Sequence, residues 1–180
     1  MIPNATKRLA ARSRLADEQA LRIAFTGHRP HRLAARPVVL RMRLRRALAR
    51  LARKARPQSC VLETALAEGA DQTAAYAAFS LGVPVRAVLP AEPRIYVRTF
   101  RRARSRRVFA HILVRCAEVE ILKSSGRRRP DYVALGVRLV SQADHLLAVH
   151  DGARSGGPGG VADVIETARS RGVPVTSVRP

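Results

Sequence analysis

The chain alternates short apolar runs with longer stretches in which apolar and basic residues recur at helical spacing. "LRIAFTG" (21–27) reads as a first strand. "PVVLRMRLRRALARLARKA" (37–55) sets Val39, Met42, Leu44, Leu48 and Leu51 roughly on one helical face, with arginines on the other. "CVLETALA" (60–67) is a second strand, and "GADQTAAYAAFSLG" (69–82) a helix whose end is marked by Gly82. "PVRAVLP" (84–90) is a third strand. The stretch 91–130 is basic and partly helical, with a fourth strand at "AEVEIL" (117–122). A helix over 131–143, a strand over "DHLLAVHDG" (144–152), a helix over "GGVADVIETARSRG" (159–172) and a last strand at "VPVTSVRP" (173–180) complete the series. Strands alternating with longer helices predict an α/β fold, its mostly parallel sheet covered on both faces. With no internal repeat or long linker, residues 21–180 read as a single domain, and 1–20 as a basic N-terminal tail or loose helix.

Composition narrows the class. At 180 residues the chain can bury a full core, and 47% apolar residues are too many for disorder. Aromatic content of 4% without tryptophan leaves the core to Ala, Val, Leu and Ile. No apolar run approaches the ~20 residues of a membrane span, and the N-terminus lacks the apolar centre of a secretory signal. The expectation is a cytoplasmic protein with no membrane partner. Cys60 and Cys116, far apart in apolar stretches, read as buried free thiols rather than a disulfide or a metal pair. A net charge of +21 points to phosphate-rich partners. Yet lysine occurs only at 7, 54 and 123, leaving 31 of the 34 basic residues as arginine. GC-rich codons give that bias without any selection for charge.

In open parallel sheets, ligands bind beyond the carboxyl ends of the strands, and the unusual residues fall there. The first strand runs into Thr26-Gly27-His28-Arg29-Pro30, and the second into Glu68-Gly69-Ala70-Asp71-Gln72. The third ends at Pro90, and "DHLLAVHDG" ends in His150-Asp151-Gly152. Gly156, Gly157, Gly159 and Gly160 precede the last helix, where backbone N–H groups and the helix dipole suit a phosphate. The plainer reading is a flexible turn. Arg29 can fork onto a phosphate, while His28 either orients or protonates a ligand or hydrogen-bonds the strand tip. Asp71 either caps its helix or accepts from a ribose hydroxyl, and Asp151 is placed to hold a ribose or a water. Asp163 and Glu166, three residues apart, are neighbours on one helical face. No cluster has metal-ligand spacing, and nothing calls for a cofactor. "GGPGGVAD" lacks the ending of a P-loop, and the first loop is no G-x-G-x-x-G.

In order, "TGHRP", "ALAEGADQTAAYAA", "VPVRAVLP", Tyr96 with Phe100, "ADHLLAVHDG" and "GGPGGVADVIETA" resemble the SLOG superfamily of Rossmann-like domains. That superfamily includes the DNA-processing proteins and the Lonely-guy phosphoribohydrolases. The resemblance covers roughly residues 21–180, and it looks most like the bacterial stand-alone branch whose first strand ends in Gly-His-Arg. It implies a three-layer Rossmann-like fold and a strand-end site for a nucleotide or nucleotide-derived small molecule. Phosphate would lie on the 156–160 glycine loop and Arg29. The residues so nominated are Gly27, His28, Arg29, Gly69, Ala70, Asp71, Asp151, Gly152, Gly157, Gly159 and Gly160, with Asp163.

The chain departs from the phosphoribohydrolase pattern in three places. Val161 stands where a hydroxyl residue usually follows the glycines, and the nearest acid in register is Asp163, one methylene shorter than glutamate. The Met-x-x-Arg-Lys helix is not recognisable, and Arg127, Arg128 and Arg129 do not follow its pattern. Three functions stay open. The first is binding or sensing of a nucleotide-derived molecule. The second is N-glycosidic cleavage of a nucleoside monophosphate, with Asp163 and Glu166 as catalytic carboxylates. The third is single-stranded nucleic-acid binding through the arginines of 94–107, namely Arg94, Arg98, Arg101, Arg102 and Arg104 with Arg106 and Arg107. Tyr96 and Phe100 would then stack on bases; the preferred reading packs them into the fold. A homodimer also stays open.

Overall fold

The computed structural model describes residues 20–54, 60–122, 130–153 and 157–180. Its strands are β1 (Leu21–Gly27), β2 (Cys60–Thr64), β3 (Val85–Leu89), β4 (Glu118–Ile121), β5 (His145–Val149) and β6 (Val175–Val178). Each predicted run supplies one strand, trimmed by at most three residues at either end. The helices are α1 (Pro37–Lys54), α2 (Ala70–Phe79), the single turn α3 (Pro93–Tyr96), α4 (Ala103–Leu113), α5 (Tyr132–Ser141) and α6 (Val161–Ser170). The strands form one sheet in the order β4-β3-β2-β1-β5-β6, and every pair is parallel. The expected mostly parallel sheet is thus wholly parallel among the described residues, and the fold is a Rossmann-like α/β fold.

Strand side chains alternate between two apolar layers. Ile23 and Phe25 of β1 join Leu62, Ala87 and Leu89 beneath α1, α2 and α4, whereas Ala24, Val88, Leu146 and Ala148 face α5 and α6. Helix α2 is buried nearly all round, at Ala70, Ala74, Ala75, Ala77 and Ala78, which its small side chains allow. On α1 the buried stripe is Leu40, Leu44, Ala47, Leu48 and Leu51. Met42 is 48% exposed, a correction to the predicted face. A stripe begun at Leu40 keeps the i, i+4, i+7, i+8 spacing that one begun at Val39 and Met42 breaks. Cys60 and Cys116 are free, as expected, but half-buried rather than buried.

One charged group interrupts the second layer. Glu63 on β2 is 1% exposed, with Oε1 3.8 Å from both Arg22 and Arg86 and Oε2 3.4 Å from Arg138 of α5. Arg86 also pairs with Glu118, and Arg138 with Glu120, so the acids of β4 complete the network.

The strand order fixes where a ligand site can form. From β1 the chain lays β2, β3 and β4 to one side, then returns to place β5 and β6 on the other. The loops leaving β1 and β5 therefore diverge and open a crevice above their carboxyl ends. No helix among the described residues is long and apolar enough to cross a membrane.

Candidate functional site

Above the ends of β1 and β5 lies a cleft of about 350 Å³, within the size range of small-molecule sites. Its walls come from the β1 tip (Thr26, Gly27, His28, Arg29), the α5 face (Tyr132, Leu135, Gly136, Leu139), and the loop and first turn of α6 (157–162). Asp71 and Tyr96 lie on its floor side, being 3% and 0% exposed while lining it.

Small residues hold the β1 tip against α2. A Cβ on Gly27 would stand 2.5 Å from the Ala70 Cβ, and one on Gly69 (φ +112°) would stand 2.7 Å from the His28 carbonyl oxygen. The Ala70 N–H donates to that same oxygen at 3.2 Å. Gly69 and Ala70, both nominated from sequence, thus clamp the backbone and do not line the cleft. The preceding turn is tense. Leu66, at φ +56°, is the one non-glycine among the described residues with left-handed backbone, a state that persists where surroundings over-determine it. Here its N–H donates to the Thr64 hydroxyl and its carbonyl accepts from the Gln72 amide.

Thr64 in turn donates to Asp71 Oδ2 at 2.9 Å. Burial pushes the Asp71 carboxyl up to about 7, against the Thr64 hydroxyl and the Ala67 N–H, which favour its charged form. Arg29 lies near enough to oppose the rise as well. Its guanidinium sits 5.8 Å from the Phe100 ring centroid and 6.0 Å from that of Tyr132, and donates to the Tyr132 hydroxyl at 3.3 Å. On the other side of Arg29 a second cavity of about 310 Å³ is lined by Glu68, Thr99, Arg101 and Arg102. Glu68 accepts the Arg101 and Arg102 N–H groups at 2.9 and 3.0 Å.

His28 is 5% exposed, and burial holds its pKa below the usual value despite Asp151 beside it. Its Nε2 lies 3.0 Å from Asp151 Oδ1 and 3.3 Å from the Asp151 N–H. One tautomer donates to the carboxylate and the other accepts from the amide. Arg32, one turn after Arg29, spans both oxygens of Asp151 at 3.0 and 2.7 Å. Asp151 is held well below the usual carboxylate range, chiefly by the Ala153 N–H and then by His28 and Arg32. The donor atoms of His28, His150 and Asp151 lie within 4.8 Å of one another, close enough to share a metal ion after rearrangement. Arg32 competes for that carboxylate, and His150 Nε2 already meets the Ala153 carbonyl at 2.9 Å. Gly152 (φ +88°) supplies the turn that follows.

At the other end, Gly157, Gly159 and Gly160 line the cleft as nominated, while Gly156 falls outside the described residues. Gly159 (φ +74°) lies against Tyr132, whose backbone carbon a Cβ would meet at 2.6 Å. Val161 and Ala162, whose N–H groups belong to the unpaired first turn of α6, also line the cleft. Asp163 does not face the cleft. Its Oδ2 accepts the Gly159 N–H at 2.9 Å and braces the loop. Glu166 is exposed and lines no part of the cleft.

Tyr96 and Phe100 pack with Phe109 in edge-to-face pairs, at 5.1 to 5.9 Å between centroids. Both belong to the core, at 0% and 1% exposure, as the preferred reading expected. Arg94, Arg98, Arg101, Arg102 and Arg104 are exposed around them. Arg127, Arg128 and Arg129 fall outside the described residues. Sequence reasoning missed Tyr132, Thr64 and Arg32 as site residues. Only Arg32 carried a signal, three residues beyond Arg29 in a basic turn.

No known family profile and no curated protein matches the chain. Among solved structures it is similar to the structural-genomics protein TM1055, with a TM-score of 0.53 and 16% identity over 86% of this chain and 72% of that one. It is also similar to DNA processing protein A (DprA) from Streptococcus pneumoniae, with a TM-score of 0.59 and 15% identity over 88% of this chain. The match spans 50% of the DprA chain. These likenesses show a shared fold.

Proposed function

We propose that the chain binds or senses a nucleotide or nucleotide-derived small molecule in the cleft above β1 and β5. The carrying observation is the convergence of Arg29 and the α6 N-terminus on Tyr132. The Tyr132 hydroxyl accepts from the Arg29 guanidinium, and its backbone abuts Gly159. A phosphate between them would take a charge-assisted fork from Arg29 and N–H groups from Val161 and Ala162. Asp163 braces the loop and Glu166 points elsewhere, which favours binding over N-glycosidic cleavage. Burial of Tyr96 and Phe100 removes the stacking platform from the single-strand reading, leaving it the arginines alone.

The test is a thermal-shift screen at fixed moderate salt. The panel holds nucleoside monophosphates, ADP-ribose and NAD, with inorganic phosphate as control. A specific ligand at ~100 times its Kd adds about 2.7 kcal/mol, a rise of roughly 5–11 °C for a chain of this size. Arg29→Ala should abolish it. Equal small shifts for every anion, phosphate included, would overturn the reading and turn attention to single-stranded DNA.

A further inference from the structure

Among the described residues the hydroxyl of Tyr96 has no hydrogen-bond partner, although the residue is 0% exposed and lines the cleft. A buried unpaired hydroxyl is destabilising and is rarely left so without a ligand or an ordered water. Beside it lies the Asp71 carboxylate, buried and close enough for its charge to act on the phenol. Resting on the nucleotide reading of this cleft, we propose that Tyr96 and Asp71 form a subsite for a ligand hydroxyl, one of the pair carried by a ribose.

The chemistry selects that group. Asp71 already accepts the Thr64 hydroxyl and the Ala67 and Asp71 N–H groups, which leaves room for a single ligand donor rather than the two-donor edge of an amidine-like base. With the phosphate already assigned to Arg29 and the α6 N-terminus, a second anion here would be repelled by Asp71 in its ionised form. A hydroxyl can give its proton to Asp71 and accept from the phenol at the same time. Of the polar side chains lining the cleft, Arg29 and Tyr132 also stand close enough to act on the Tyr96 phenol, and these two are already paired with each other.

Tyr96→Phe tests this, because it removes the hydroxyl and keeps the ring in its aromatic cluster. Without ligand, the variant should melt at the wild-type temperature or above, since no protein hydrogen bond is lost. A fall of several degrees would mean the phenol is bonded within the protein and would overturn the proposal. The second measurement compares the four ribonucleoside 5′-monophosphates with their 2′-deoxy and 3′-deoxy counterparts. Wild type should bind one deoxy series roughly tenfold more weakly, and Tyr96→Phe should bind the ribonucleotides roughly tenfold more weakly with discrimination gone. If wild type binds ribo and deoxy forms equally, the phenol meets only water, and the subsite fails while the nucleotide cleft stands. If no nucleotide binds at all, both fail together.

Discussion

Asp71 carries a pH dependence whose sign and size follow from its position. In an unfolded chain an aspartate releases its proton near pH 3.9, whereas in the fold Asp71 holds it up to about 7. Between these values the folded state binds a proton that the unfolded state has lost, so stability falls as pH rises. The stabilisation of the neutral carboxyl is fully present below about pH 4 and is lost on passing 7. Three units at about 1.4 kcal/mol each amount to about 4 kcal/mol. His28 and His145, whose pKa values burial lowers, act in the opposite sense, because they must charge on unfolding at acid pH. The informative quantity is therefore a difference between two proteins. Asp71→Asn keeps an acceptor for Thr64 and has no proton to lose. Denaturant unfolding of wild type and Asp71→Asn from pH 4 to 8 should show the gap closing, or reversing, by about 4 kcal/mol in the variant's favour. In melting temperature that is roughly 8–16 °C. Two curves that stay parallel across this range would refute the reasoning, because Asp71 would then ionise alike in both states.

Two further substitutions probe the scaffold. Gly159→Ala should cost about 1–2 kcal/mol from its positive φ alone, with more from the 2.6 Å approach to Tyr132. Gly152→Ala, at φ +88° with no described residue within 4 Å of the added Cβ, should cost only the first part, and equal melting temperatures for the two variants would contradict the packing. Glu63→Gln leaves Arg22, Arg86 and Arg138 facing each other, and should destabilise by about 2–3 kcal/mol, less than for a wholly buried pair because the arginines reach water. Denaturant midpoints measure it, and a change under about 0.5 kcal/mol would show that Glu118 and Glu120 suffice.

Most of the elements were legible because the strands other than β4 are short, largely apolar runs closed by glycine, proline or a charged residue, and α1, α4, α5 and α6 repeat their apolar residues at helical spacing. The clustering of odd residues at strand ends was legible for the same reason, since the strand direction places them all on one edge. The order of the strands was not, because a strand buried on both faces carries no mark of its neighbours. Nor was the Tyr132 contact with Arg29, which joins residues 103 positions apart. Asp163 shows a subtler limit. Its place in the first turn suits a catalytic acid and a loop brace equally, and only the orientation of its carboxylate separates them. Met42 and Leu40 differ in burial because the helix starts its core stripe one residue later than the sequence pattern suggested.

The bond from Gly159 to Asp163 bears on the kinetics of recognition. A loop rich in glycine ordinarily samples many shapes and must be frozen by whatever it captures. Here a built-in anion already fixes the turn, and Tyr132 backs it from behind. On the proposed reading, an incoming phosphate would meet a seat whose shape is set beforehand, with little entropy left to lose on arrival. That reading predicts association limited by encounter rather than by loop rearrangement, and Asp163→Ala would make the same encounter wait for the loop to find its fold.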